Sequence, residues 1–273
     1  MADKNYLHTA YANSADGTDR FTTVYPNLNL LKNTRTLTAT STSSAWDTLF
    51  SSSQIYDSAI KSKSGVSAMN FSFNVYVSLN TTVGNTILIQ LKGQNAQAAN
   101  VGSNEWNTIV VYANYIIKQS DLGKTIRVTA PVEKGPNYQS FDTALADTDS
   151  ITIRQETDAS GFVYSTIKLE EGSTATPRMP SASEVTTADW PKYVGTYVDT
   201  NPVSSTVSSK YDWDEMKYRV YLDGVPVGGS KLLSFDLENL KAGTTYNVQV
   251  NQINGNIESD KSESVAFKTT LTN

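Results

Sequence analysis

Five carboxylates, Glu133, Asp142, Asp147, Asp149 and Glu156, fall within one stretch of the chain. Two carboxyl groups facing each other across a glycosidic bond are what glycoside hydrolysis requires. No short motif fixes a pair among these five, and acidic residues are ordinary in the turns of β proteins. The rest of the reactive inventory is thin. Cysteine is absent, which removes thiolate nucleophiles, disulfides and Cys-ligated metals together. Histidine occurs once, at His8, in a polar segment where it reads as a surface residue. An imidazole zinc site and a Ser-His-Asp relay therefore lack their parts. Gly65-Val66-Ser67-Ala68-Met69 fails the Gly-x-Ser-x-Gly pattern at its last position, and no Gly-rich phosphate loop occurs. We expect no catalysis, no cofactor and no metal ligand set.

A second kind of chemistry needs only rings and amides. Saccharides are gripped by stacking their apolar C–H faces on aromatic side chains while polar groups take the hydroxyls. Trp46 stands among Ser and Thr beside Asp47, outside any apolar alternation, and is the first platform candidate. Tyr76 lies on the polar face of its strand, and Tyr112 and Tyr138 are candidate neighbours. Asn74, Gln90, Asn114 and Gln139 are the amides that could bond hydroxyls. The bland alternative is core packing, and it is the preferred reading for Trp106, which precedes a strand.

Strands must position these groups. Phe71, Phe73, Val75, Val77 and Leu79 alternate with Ser72, Asn74, Tyr76 and Ser78, which predicts a half-buried strand over 70–79. Further strands are predicted over 86–91, 108–117, 124–131, 150–155 and 162–169, with turns at 120–123 and 158–161. Phe21 to Tyr25 reads as a possible short strand. Asp223-Gly224 between Tyr218–Leu222 and Val225–Val227 is the strongest hairpin signal. Tyr246 opens another alternating strand, and its hydroxyl could tie the preceding corner to backbone. Ser264–Thr269 supplies the last strand. Only 142–147 and 210–218 could hold a helical turn. The whole reads as all-β, with residues 1–28 as an arm or edge strand, 29–180 as a jelly-roll sandwich, 181–215 as linker and irregular start, and 216–273 as a small β-sandwich.

Composition narrows the partners. With 22 Lys and Arg against 27 Asp and Glu, the 273-residue chain has a net charge of −5 and no basic concentration for nucleic acid. No apolar run reaches the roughly 18 residues of a membrane span. The opening Met1-Ala2-Asp3-Lys4-Asn5-Tyr6 has no apolar stretch of signal-peptide type, so the expected route is synthesis in the cytoplasm without a leader.

Three resemblances add to this. Asn29-Leu30-Leu31-Lys32-Asn33, Trp106 and the closing Ile167-Lys168-Leu169-Glu170-Glu171-Gly172 resemble the family 4/9 type of carbohydrate-binding jelly roll. That family often holds a structural calcium through an acidic residue just before its final Ile/Val-x-Leu. Here Ser165 and Thr166 stand there, which leaves that calcium doubtful. Asp223-Gly224 and Leu240-x-x-Gly243-Thr244-Thr245-Tyr246 resemble fibronectin type III, with Trp190 or Trp213 as the candidate buried tryptophan. The pairing of Lys168-Leu169-Glu170-x-Gly172-x-x-Ala175-Thr176-Pro177 with Tyr193-x-Gly195-x-Tyr197-x-Asp199 resembles tail proteins of phages of Gram-positive bacteria, most closely the accessory baseplate proteins of lactococcal siphophages. The resemblance implies a virion component that binds host cell-wall polysaccharide and attaches to other baseplate proteins. A ligand-free spacer and a glycoside hydrolase are the alternatives.

Overall fold

The structure, a computed structural model, describes residues 4–42, 46–92, 109–148, 152–156 and 161–270, and only the backbone of Trp46, Thr152 and residues 154–156. Two compact units divide the chain: Met1–Pro26 with Thr186–Asn273, and Asn27–Val185. The strand that opens the chain, β1 (Tyr6–Ala12), belongs to the first unit.

The larger unit contains β2 (Thr38–Thr40), β3 (Trp46–Phe50), β4 (Met69–Tyr76), β5 (Thr86–Lys92), β6 (Ile109–Ile116), β7 (Thr125–Pro131), β8 (Glu133–Lys134), β9 (Thr152–Glu156) and β10 (Val163–Glu171). They form two sheets, β2-β10-β4-β7 and β3-β9-β5-β6-β8, and every pairing is antiparallel. Period-two alternation decides which residues go inside. Phe71, Phe73 and Val75 of β4 and Ile87, Ile89 and Leu91 of β5 are buried in one shared core. Each such side chain contributes about 1.5–3 kcal/mol by leaving water. The predicted helical turn at 142–147 is present as Phe141–Ala146, capped by Ser140, whose hydroxyl accepts from the Thr143 N–H at 3.2 Å.

The opening and closing motifs of this unit bond to one another. Asn29 donates to the Ile167 carbonyl at 2.9 Å, and its Oδ1 accepts from the N–H groups of Leu169 and Leu31 at 3.0 and 3.1 Å. Lys168 and Glu170, two residues apart on β10, share the side of the sheet that carries Ser72 and lie fully buried beside residues 172–180. The Lys168 ammonium donates to Glu170 Oε2 at 2.7 Å, Thr176 Oγ1 at 2.6 Å and the Pro177 carbonyl at 2.9 Å. Glu170 Oε1 accepts from the Thr176 N–H at 3.0 Å. The Lys-Leu-Glu…Ala-Thr-Pro sequence is thus a buried ion pair with its own backbone closure.

The smaller unit adds β11 (Tyr193–Asp199), β12 (Asp212–Glu215), β13 (Tyr218–Leu222), β14 (Val225–Ser230), β15 (Thr245–Asn254), β16 (Ile257–Glu258) and β17 (Val265–Lys268). One sheet runs β1-β11-β12. The other runs β14-β13-β15-β16, with β17 also on β15. Asp223 and Gly224 both have positive φ, +49° and +83°, as a type I′ hairpin requires. The Tyr246 hydroxyl accepts from the Lys241 N–H at 2.9 Å, so the expected corner tie is present.

Several local expectations need correction. The Tyr-x-Gly-x-Tyr-x-Asp motif falls in the stretch expected as linker, yet it forms β11 and pairs with β1 from Tyr6↔Asp199 to Ala12↔Tyr193. Gly195 is required because Tyr211 and Trp213 lie on it, and a Cβ there would sit 2.8 Å from each. Residues 212–215 are a strand, not a helical turn, because they pair with β11. Phe21–Tyr25 supplies only an isolated bridge, Tyr11↔Thr22. His8 is buried at 4 % exposure: its ring stacks on Tyr197 at 4.7 Å, and Nε2 donates to the Asn201 carbonyl at 2.8 Å. Trp190 is the buried tryptophan of this unit, stacked on Tyr25 at 5.7 Å and lying 5.5 Å from the Arg219 guanidinium. Arg219 also bonds the Tyr25 hydroxyl and Glu258. Burial pushes the Tyr11 phenol up to about 12 and raises that of Tyr25 as well.

Candidate saccharide-binding face

In β6, Val111 and Ala113 point into the core, so Tyr112 and Asn114 take the outer face of the five-stranded sheet. The register sets Tyr112 opposite Gln90 of β5 on one side and opposite Glu133 of β8 on the other. Tyr112 is half-buried and donates from its hydroxyl to Glu133 Oε2 at 2.6 Å. That bond, followed by burial and by the Glu133 charge, raises the Tyr112 pKa above the usual phenol value. The ring is therefore neutral and held in one orientation, which lowers the entropy cost of using it as a platform. Asn114 is exposed beside it, whereas Gln90 is only 3 % exposed. Asn114 pairs with Leu88, Leu88 with Glu156, and Glu156 with Trp46, so the Trp46 backbone shares that transverse row. Three strand spacings, about 14 Å, separate β6 from β3. The Trp46 side chain lies outside the described residues, as do Trp106 and Asp149.

The other candidates go elsewhere. Asn74 and Tyr76 are half-buried on the outer face of the opposite, four-stranded sheet, with Arg127 and Thr125 as their β7 neighbours. They cannot join Tyr112 in one site, because the core lies between the two sheets. Tyr138 is buried at 4 % exposure and donates to Asp147 Oδ2 at 3.0 Å, so it is a core residue and no sugar shelf. Gln139 is exposed in the loop before the capped helix. Sequence reasoning could group residues by strand face but could not tell which strands shared a sheet.

The described carboxylates have structural partners. Glu133 holds Tyr112, Asp147 holds Tyr138, and Asp142 accepts the N–H groups of Gly65 and Val66 at 2.6 and 2.9 Å. The side chain of Glu156 is outside the described residues.

The calcium position suggested by resemblance can be tested against its donors. Thr166 adopts a left-handed φ of +49° where the register slips between Ser165 and Lys168. Its carbonyl accepts from Arg127 Nη1 at 3.0 Å, while Nη2 donates to Ser72 Oγ at 2.6 Å. A guanidinium already faces this bulge, and Ser165 and Thr166 offer no carboxylate. Among the described residues no group of three or more His, Cys, Asp or Glu could hold a metal. The residues present do not fit calcium. No helix among the described residues is long and apolar enough to cross a membrane.

Residues 25–181 match a family described as "Domain of unknown function (DUF7013)", and residues 191–249 match one described as "Minor structural protein 5-like, C-terminal domain". Among solved structures, a chain of the "tripod (BppUct-A-L) from the baseplate of bacteriophage Tuc2009" is similar, with 49 % identity over 100 % of both chains and a TM-score of 0.76. No curated protein matches.

Proposed function

We propose that this chain, which belongs to the phage baseplate family represented in the Tuc2009 tripod, is a non-catalytic adhesin whose larger unit binds host cell-wall saccharide. As an accessory baseplate protein of lactococcal siphophages it is a component of the virion tail. The smaller unit is the attachment domain for other baseplate proteins in this reading.

The observation that supports saccharide binding best is the Tyr112 face: a ring fixed by Glu133, next to an exposed amide, on a sheet whose third strand over begins with Trp46. Magnitudes favour a shared site over a single platform. Covering about 100 Å² of one ring contributes roughly 2.5 kcal/mol, whereas millimolar affinity needs about 4.1 kcal/mol. A second ring or several polar partners must contribute. Repetition on one particle adds avidity of about 10²–10⁴ without new contacts.

The test is retention of the full chain on purified host cell-wall polysaccharide. Tyr112→Ala and Trp46→Ala should each weaken retention about tenfold or more while leaving the melting transition in place. If the wild-type chain, multimerised, is not retained at all, the spacer reading replaces this one. Release of reducing sugar in the same incubation would favour the hydrolase.

A further inference from the structure

The smaller unit contains a groove that saccharide binding leaves unused. Its volume is about 750 Å³; Leu7 and Thr9 of β1, Val194 and Thr196 of β11, and Val227 of β14 line it, with residues 231, 232 and 234–239 along the rim. That is within the ~300–1,000 Å³ typical of binding clefts. Three features define what fits it.

The first is a free strand edge. β1 ends its sheet, and Tyr11 uses its outward N–H and C=O on Thr22 at 2.8 and 3.0 Å. By the period of two, Leu7 and Thr9 turn their backbone groups the same way, and among the described residues neither finds a backbone partner there. An open edge of this kind accepts an added strand. The second is apolar surface: Leu7 and Leu232, both lining the groove, are 63 and 61 % exposed. Alternate apolar side chains of an added strand would cover them. The third is charge. Lys231 is bonded to Asp214 at 3.2 Å, which leaves Asp236 and Glu238 on the rim without an ion pair among the described residues. The rim therefore complements a cation.

We propose that this groove receives an extended segment of another baseplate protein, added as a strand to β1, with alternating apolar residues and a Lys or Arg set against Asp236 or Glu238. The proposal rests on the attachment role given above to the smaller unit.

Two synthetic peptides test it on the full chain: Lys-Val-Thr-Val-Thr-Val-Lys and its twin with Glu at both ends. The lysine peptide should bind, the glutamate twin at least tenfold more weakly, and amide exchange at Leu7 and Thr9 should slow on binding. Asp236→Lys with Glu238→Lys should reverse the preference. It should also cut incorporation of the chain into assembled baseplates at least tenfold, while polysaccharide retention stays unchanged. Equal or absent binding of the two peptides, together with normal incorporation of the double variant, overturns the groove proposal and leaves the attachment reading standing. Protection of Leu7 and Thr9 in the free chain overturns it too, since residues 231–239 would then already close the edge. Failure of the wild-type chain to enter baseplates overturns both.

Discussion

Replacing Glu170 with Gln keeps the shape of the side chain and removes one charge from a fully buried pair. The amide NH2 would face the Thr176 N–H that Glu170 Oε1 now accepts, while Lys168 would still reach Thr176, Pro177 and the amide oxygen, so its three donors stay bonded. Its charge, however, would have no counter-ion, and breaking a buried pair in this way costs about 3–5 kcal/mol. A domain of this size has roughly 5–15 kcal/mol in total, so about a fifth or more of its stability is at stake. The double variant Lys168→Met, Glu170→Met has no stranded charge. It orphans the Thr176 N–H and hydroxyl and the Pro177 carbonyl instead, at about 1–3 kcal/mol each. Its cost should therefore fall well short of the two single losses added together, a coupling of about 2 kcal/mol or more. Urea denaturation of the full chain measures this, with amide exchange in β4 and β10 assigning the transition to the larger unit. A Glu170→Gln loss under about 1 kcal/mol, or additive single and double variants, would refute the argument that the ion pair locks this motif.

Asp57 sits against burial, which raises its pKa, yet the Ser183 hydroxyl and the Ala59 N–H bring it below the ordinary carboxylate value. A depressed carboxylate stabilises above its unfolded pKa of about 3.9 and loses that contribution as pH falls through the folded value. The urea midpoint of the wild type should therefore fall more steeply below about pH 4 than that of Asp57→Asn, and parallel curves would contradict this. Thr166 is β-branched in the left-handed region, where asparagine is better tolerated. Thr166→Asn should gain about 1 kcal/mol in the same denaturation experiment, and a loss would show that its 3.4 Å contact with Arg127 outweighs the strain. Because Arg127 faces that bulge, EDTA should leave the melting temperature unchanged, and a fall of several degrees would reveal a bound cation.

Local pattern made individual strands and turns readable in both units. Alternation in 70–76 marks both faces of β4, and in the smaller unit Asp223-Gly224 marks the β13–β14 hairpin, because strand period and turn conformation depend on neighbouring residues alone. Partner choice does not. Nothing near Tyr6 announces Asp199, so the stretch containing Tyr193–Asp199 reads as linker and His8 reads as surface until β1 and β11 meet. The same blindness scattered the candidate site. Tyr76 and Tyr112 each lie on an outer face, but only the sheet order shows that the faces are opposite. Tyr138 reads as a candidate neighbour of the other rings, and only the fold shows it buried with its hydroxyl on Asp147.

The pairing of Tyr6 with Asp199 also fixes an order of events during synthesis. Ribosomes add about 5–20 residues per second, so the first strand waits roughly 10–40 s for its mate to be made. All of Asn27–Val185 emerges in that interval and is free to fold before the smaller unit can close around it in sequence. The nascent β1 strand is thus unpaired throughout that interval and open to other chains, and slowing translation should harm the yield of the smaller unit before that of the larger.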